Sequence, residues 1–281
     1  MTSWTYNSSW VYKKLYSGLD PFQRSDMPDC YLISALSALA WACRVNIQNP
    51  DASGNVNLKI GGSDYVAAKT EVLPVDASGN LRSARSAGAN EIWPAIYEKM
   101  YARFLSIAPD PDSAGNPDVC NQMPKDGNPL TTLVDLTSWT PYSEVSGEYR
   151  KIFDNLTTDS KVKYPVVAWT YPTLDGISTG YAVMPKHAYS VLGTYIEGTT
   201  NHIVLRNPLG SVSANTGITM KTSGSWTYKD RCYKRNATEF TAVYVGGIPP
   251  VKTLSFNLSQ GLFALEVGEF SKYFERFGWV T

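Results

Sequence analysis

The chain contains two histidines and four cysteines, so chemistry that couples a thiol to an imidazole has few residues to draw on. Cys30 stands in "SDMPDCYLISALSALAW", behind an Asp and ahead of an unbroken run of small and apolar residues. If that run is a helix, its unpaired N–H groups and the positive end of its dipole favour a thiolate at Cys30. A neighbouring imidazolium favours it further, so the resting pair would be ionic. The chemistry such a pair performs is attack on a carbonyl carbon. His187 opens "HAYSVLG" and Asn207 closes "HIVLRN"; on adjacent antiparallel strands the end of one lies beside the start of the other, and the Asn amide would hold the imidazole in one tautomer. The tetrahedral oxyanion needs pre-placed donors, and Gln23 could present its amide beside the backbone N–H of Cys30. Each residue also has a plainer reading: Cys30 as a buried thiol, Asn207 as a turn former before Pro208, Gln23 as a solvated side chain, and His202 as an ordinary strand residue.

The elements that must position these groups are readable in outline. Residues 30–46 hold no Gly or Pro and are rich in Leu and Ala, which predicts a helix, with "DMPD" breaking and capping the chain in front. In "NEIWPAIYEKMYARFL" Ile92, Ile96, Met100 and Phe104 recur every four residues, so a second helix is expected, with Pro94 tolerated in its opening turn. Residues 106–128, crowded with Pro, Gly, Asp and Asn, are expected to form a long loop, and residues 146–156 one more helix. "DASGN" occurs at 51 and again at 76 as a turn. From about residue 160 the runs "YPVVAWTY", "HAYSVLGTYIE", "HIVLRN", "FTAVYVGG" and "KTLSFNL" are β-branched and aromatic, as strands of an antiparallel sheet would be. The expected class is α+β, with a helical part over residues 1–158 and a β-rich part over 159–281.

Composition narrows the partners. Lys+Arg and Asp+Glu are both 25, so the net charge is zero and the field that draws proteins to nucleic acid or anionic lipid is missing. No nucleic-acid or membrane partner is expected, and no segment approaches the ~20 apolar residues of a membrane span. The N-terminus lacks a signal-peptide core, which favours the cytoplasm; a secreted protein remains the alternative if a leader has been lost. Cys43, Cys120 and Cys232, without zinc-site spacing, are expected as core thiols. Sequons at Asn7, Asn155, Asn236 and Asn257 would matter only in a secreted eukaryotic protein.

Taken in order, "DPFQRSDMPDCYLISALSALA", "HAYSVLG" and "LRNPLG" resemble the protease core of the calpain family, a branch of the papain-like cysteine proteases. "NEIWPAIYEKMYARF" is similar to that family's Trp-containing helix, and "GLFALEVGEFSKYFERFGWV" to the segment that closes its core. The resemblance implies a two-lobe papain-like fold with the cleft between the lobes. It makes Cys30 the nucleophile, His187 the general base and acid, Asn207 the orienting amide and Gln23 the oxyanion donor, in a cysteine endopeptidase acting on polypeptides. The chain departs from the family in three places: the Gln stands one residue further from the Cys, Tyr31 replaces a Trp, and Leu209 replaces the Trp that shields the His–Asn pair. No cofactor is required for the chemistry. Calcium is the one metal the family suggests, with Asp20 as its candidate ligand, and larger members carry further domains. Two other functions fit the same residues: an amidase or acyltransferase of papain-like fold, and a peptide-binding module that has lost turnover.

Overall fold

The computed structural model describes residues 3–12, 21–24, 27–86, 90–107, 123–236, 239–243 and 249–281. In chain order the first part contains β1 (Ser3–Thr5), α1 (Cys30–Ala42), β2 (Val56–Ile60), β3 (Ser63–Ala67), β4 (Leu73–Val75), α2 (Trp93–Phe104), α3 (Pro129–Thr137) and β5 (Pro141–Val145). The second contains β6 (Thr157–Thr158), β7 (Lys161–Thr170), β8 (Ala188–Glu197), β9 (Thr200–Arg206), β10 (Met220–Lys221), β11 (Ser225–Lys229), β12 (Cys232–Asn236), β13 (Glu239–Val243), β14 (Val251–Ser255), β15 (Leu262–Glu266), α4 (Val267–Tyr273) and β16 (Phe274–Val280). The α+β class is observed.

Every residue of α1 after Cys30 is buried. A helix apolar on all sides belongs inside, and α1 packs against α3, β7 and β8. The four-residue spacing read in α2 holds, with Ile92, Ile96 and Met100 buried. Among the described residues an eight-stranded antiparallel sheet runs β10-β15-β9-β8-β7-β16-β5, with β6 added to β7. Strand β8 sits inside it and is buried from Ala188 to Thr194. Buried apolar side chains form two clusters, one around α1, α2 and the β2–β3 hairpin, the other around β7, β8, β9, β15 and β16.

Several local expectations need correction. Helix α1 stops at Ala42, not 46, because Cys43 turns extended at φ −160° and a short 3-10 turn, Arg44–Asn46, follows. Cys43 and Cys232 are not core thiols: their Cα atoms lie 4.6 Å apart, inside the range a disulfide spans, and they are bonded. Cys120 lies outside the described residues. The first part is not purely helical, since β2 and β3 pair across Gly61 and Gly62, both at positive φ. The stretch 146–156 is a 3-10 turn followed by a π-helical turn, Ile152–Leu156, in place of one helix. Within and after the expected loop, Asn128 accepts hydrogen bonds from the N–H groups of Leu130 and Thr131 and starts α3. Both "DASGN" copies fold identically: Asp51 accepts from Ser53 and Asn55, and Asp76 from Ser78 and Asn80.

Candidate active site

Helix α1 lies along β8 residue by residue. The Ser190 hydroxyl donates to the Ser34 carbonyl at 2.8 Å, and Trp41 Nε1–H donates to the Leu192 carbonyl at 2.8 Å. At the mouth of the helix the Cys30 thiol meets the backbone N–H of Ala188. Positions 30, 34 and 41 share one helix face, and 188, 190 and 192 share one face of a strand. The match places the first residue of α1 beside the residue that follows His187.

Strand pairing brings Asn207 to His187. Ser190 pairs with Arg206 in the antiparallel β8–β9 register, so Asn207, one step further, comes level with Tyr189, two residues from His187 on the same side. His187 Nε2 lies 2.9 Å from Asn207 Oδ1. The direction of the Asn amide is fixed independently: Oδ1 also accepts from Leu209 N–H at 3.0 Å, and Nδ2 donates to the Ala182 and Tyr181 carbonyls at 3.3 and 3.4 Å. With an acceptor facing it, a neutral His187 carries its proton on Nε2, which leaves Nδ1 unprotonated. Thr170 clamps the His187 backbone, its hydroxyl accepting from His187 N–H at 3.0 Å while its own N–H donates to the His187 carbonyl at 3.0 Å. Behind Asn207, Gly261 N–H lies in a tight turn at φ +72°, and a Cβ there would sit 2.1 Å from the Asn207 carbonyl oxygen. Only glycine fits.

Gln23 reaches the same place by its backbone. Its N–H donates to the Pro208 carbonyl at 2.8 Å, and Phe22 is bridged to Arg85 on the other side of the loop. The side chain is 5% exposed, its Nε2 donates to the Met27 carbonyl, and Oε1 meets no donor. The structure thus brings Gln23 beside the Asn207–Pro208 turn, with its amide turned to the Met27 carbonyl and to Asp29. His202 lies in β9 against the Tyr195 ring, away from this group. Leu209 is half-buried.

The electrostatics differ from the ionic pair expected. Burial pushes the Cys30 thiol up to about 11, and the neighbouring Asp29 carboxylate adds to the rise, against the N–H groups of Ala188, Tyr31 and Cys30 itself. Burial pushes His187 down to about 4, although its bond to Asn207 favours the charged form. The resting thiol and the resting imidazole are therefore both neutral. Asp29, in the stretch expected to cap α1, occupies the N-cap position, yet its side chain makes no capping bond. It is fully buried and faces Glu98 of α2.

Among the described residues no three His, Cys, Asp or Glu side chains converge on a point that could hold a metal ion. Asp20, the calcium candidate, lies outside the described residues. Among the described residues no helix is long and apolar enough to cross a membrane. Sequence reasoning missed Thr170, Ser190, Gly261 and the Asp29–Glu98 contact; only Gly261 carried a signal, as the glycine closing "NLSQG" ahead of an apolar strand. No protein-family model matches this chain, and no curated protein matches it.

Proposed function

We propose that the chain is a calpain-like cysteine endopeptidase core, with a papain-like division into a helical lobe over residues 1–158 and a β-rich lobe over 159–281. The observation that carries this reading is the His187–Asn207 hydrogen bond, with the amide direction set by Leu209 N–H, at the strand end where the Cys30 thiol meets Ala188. The two separate apolar clusters support the two lobes.

In this mechanism Cys30 Sγ attacks the peptide carbonyl while its proton passes to His187 Nδ1. The imidazolium then gives that proton to the leaving amine as the C–N bond breaks, and a thioester remains. Water, deprotonated by the same imidazole, attacks the thioester; the acid leaves and the proton returns to Sγ. The first N–H groups of α1, which have no partner within the helix, face the developing oxyanion, and Gln23 joins them when its amide turns from the Met27 carbonyl and Asp29. No cofactor takes part. Polypeptide is the substrate, and calcium binding through Asp20 belongs to the proposal only as a regulator. For compartment, the Cys43–Cys232 disulfide weighs against the cytoplasm and for the secreted alternative, because disulfides persist where thiols are not kept reduced.

Incubating the chain and its C30A variant with unfolded casein, followed by mass analysis of the products, tests the reading. Fragments that gain one water per broken bond, and that vanish with C30A, support it. Joined products would make the protein an acyltransferase. Peptide binding without turnover would make it a binding module, and cleavage that survives C30A would end the proposal.

A further inference from the structure

Beside the catalytic group lies a buried pair of acids that the chemistry above does not use. Asp29 immediately precedes Cys30 and is 0% exposed; Glu98, on α2, is 1% exposed. Their carboxyl groups lie within hydrogen-bonding reach of each other. Glu98 Oε2 accepts from Ala84 N–H at 2.7 Å, and Glu98 Oε1 meets no protein donor. Two ionised carboxylates are acceptors only, so this contact is a hydrogen bond only if one of the two holds a proton. The other charged or titratable groups that face them are Arg24, which favours ionisation of both acids, and Cys30 and Tyr31, whose own ionisation the Asp29 charge opposes. The Gln23 amide also faces Asp29. Burial raises Asp29 to about 6 and raises Glu98 well above the usual carboxylate range.

We propose that Asp29 and Glu98 form a one-proton acid pair that holds the mouth of α1 against α2 and fixes a single negative charge beside the Cys30 thiol. Both are positioning residues, and the inference rests on reading Cys30 as the nucleophile. Two apolar side chains would join the helices without desolvating a charge. What they would not supply is the charge that keeps Cys30 a thiol at rest. That charge restricts thiolate formation to the moment when a substrate carbonyl is in place and His187 takes the proton. Asp29 also faces the Gln23 amide, so the nucleophile and the oxyanion loop rest on one shared carboxyl group.

The experiment measures the rate at which iodoacetamide alkylates Cys30, located by peptide mass mapping, from pH 6 to pH 10 in the wild type, Asp29→Asn and Glu98→Gln. Asp29→Asn keeps the shape and removes the charge from the residue next to Cys30, so its curve is expected to shift to lower pH, with alkylation severalfold faster at pH 7.5. Glu98→Gln makes the shared hydrogen permanent. Its curve is expected to part from the wild type's only on the alkaline side, lying above it once the wild-type pair sheds its second proton. Thermal melting of each variant shows that the fold is retained; if Asp29→Asn does not fold, the alkaline divergence of Glu98→Gln decides alone. Superimposable curves for the folded variants and the wild type would overturn the pair. The readout needs no proteolysis, so loss of the protease reading, through casein cleavage that survives C30A, is a separate result.

Discussion

The Ser190 hydroxyl donates to the Ser34 carbonyl across 2.8 Å, and neither residue has any exposed surface. This bond sets how far along β8 the helix α1 slides, and therefore where its first residue, Cys30, stops relative to His187. Ser190→Ala removes the donor while the Ser34 carbonyl keeps its helical partner. The expected stability cost is about 1 kcal/mol, a fall of a few degrees in melting temperature. Turnover is expected to fall severalfold with KM little changed, since ground-state substrate contacts are not involved. A melting shift with kcat intact would show that the bond stabilises the fold without positioning the thiol.

Gly261 offers a sharper test of the Asn207 position. An alanine there meets both the positive φ of +72° and a contact of 2.1 Å with the Asn207 carbonyl. Gly198, in the turn between β8 and β9, has a φ of +59° with nothing near its missing Cβ. Gly198→Ala is expected to cost about 1–2 kcal/mol for the backbone alone. Gly261→Ala is expected to cost more and to lower casein cleavage, because the turn must move Asn207 off the imidazole. Equal stability losses with equal activity in the two variants would mean that the turn absorbs the methyl without disturbing Asn207.

The pair His187–Asn207 was legible because it follows from local strand pairing: two β-rich runs in sequence, the functional residue at the start of one and the end of the other. Helix α2 was legible because its apolar residues recur every four positions. The β2–β3 hairpin could have been read from Val56, Leu58 and Ile60 alternating ahead of Gly61-Gly62, and α3 from the cap and Pro at Asn128-Pro129. Three other features depend on partners far away in the chain and left no local mark. Cys43 and Cys232 are separated by 189 residues. Glu98 looks like any polar residue of an amphipathic helix until Asp29 is placed against it. The neutral resting state of the site comes from burial, which outweighs the helix dipole at Cys30, and burial is a tertiary property.

The disulfide joins the end of α1 to β12. Closing a loop over a separation of 189 residues is worth about 5 kcal/mol on the chain-entropy account, and removal of such bonds typically costs about 2–5 kcal/mol. Alkylation in denaturant without reductant is expected to label Cys30 and leave Cys43 and Cys232 unmodified, with the intact mass lighter by two hydrogens than the reduced form. Cys43→Ser is expected to lower the denaturant midpoint by an amount matching that loss. Free labelling of Cys43 in the unreduced protein would remove the bridge and, with it, the main argument for an oxidising compartment.

The buried imidazole makes stability depend on pH in a direction that can be worked out. His187 titrates near 4 in the folded protein, below its ordinary value of 6.5, so the unfolded chain binds its proton more readily. Its contribution is intact above about pH 6.5 and is lost as pH falls toward 4. Asp29, raised from 3.8 to about 6, acts oppositely: its contribution is intact below about 3.8 and is lost as pH rises through 6. The two oppose each other across the same window, so an acid melt of the wild type alone would conceal both. Comparison with His187→Gln separates them, because every other group is shared. The variant is expected to be less stable than the wild type at pH 7, through loss of the Asn207 bond and the ring packing. At pH 5 its deficit is expected to narrow by about 2 kcal/mol, the cost that protonating His187 imposes on the wild type alone. A deficit constant between pH 7 and pH 5 would mean that the folded protein binds that proton as well as the unfolded chain does. The imidazole would then titrate at its ordinary value, and only a deficit that widens toward pH 5 would place a resting charge on it, as in the ionic pair that helix physics alone suggests.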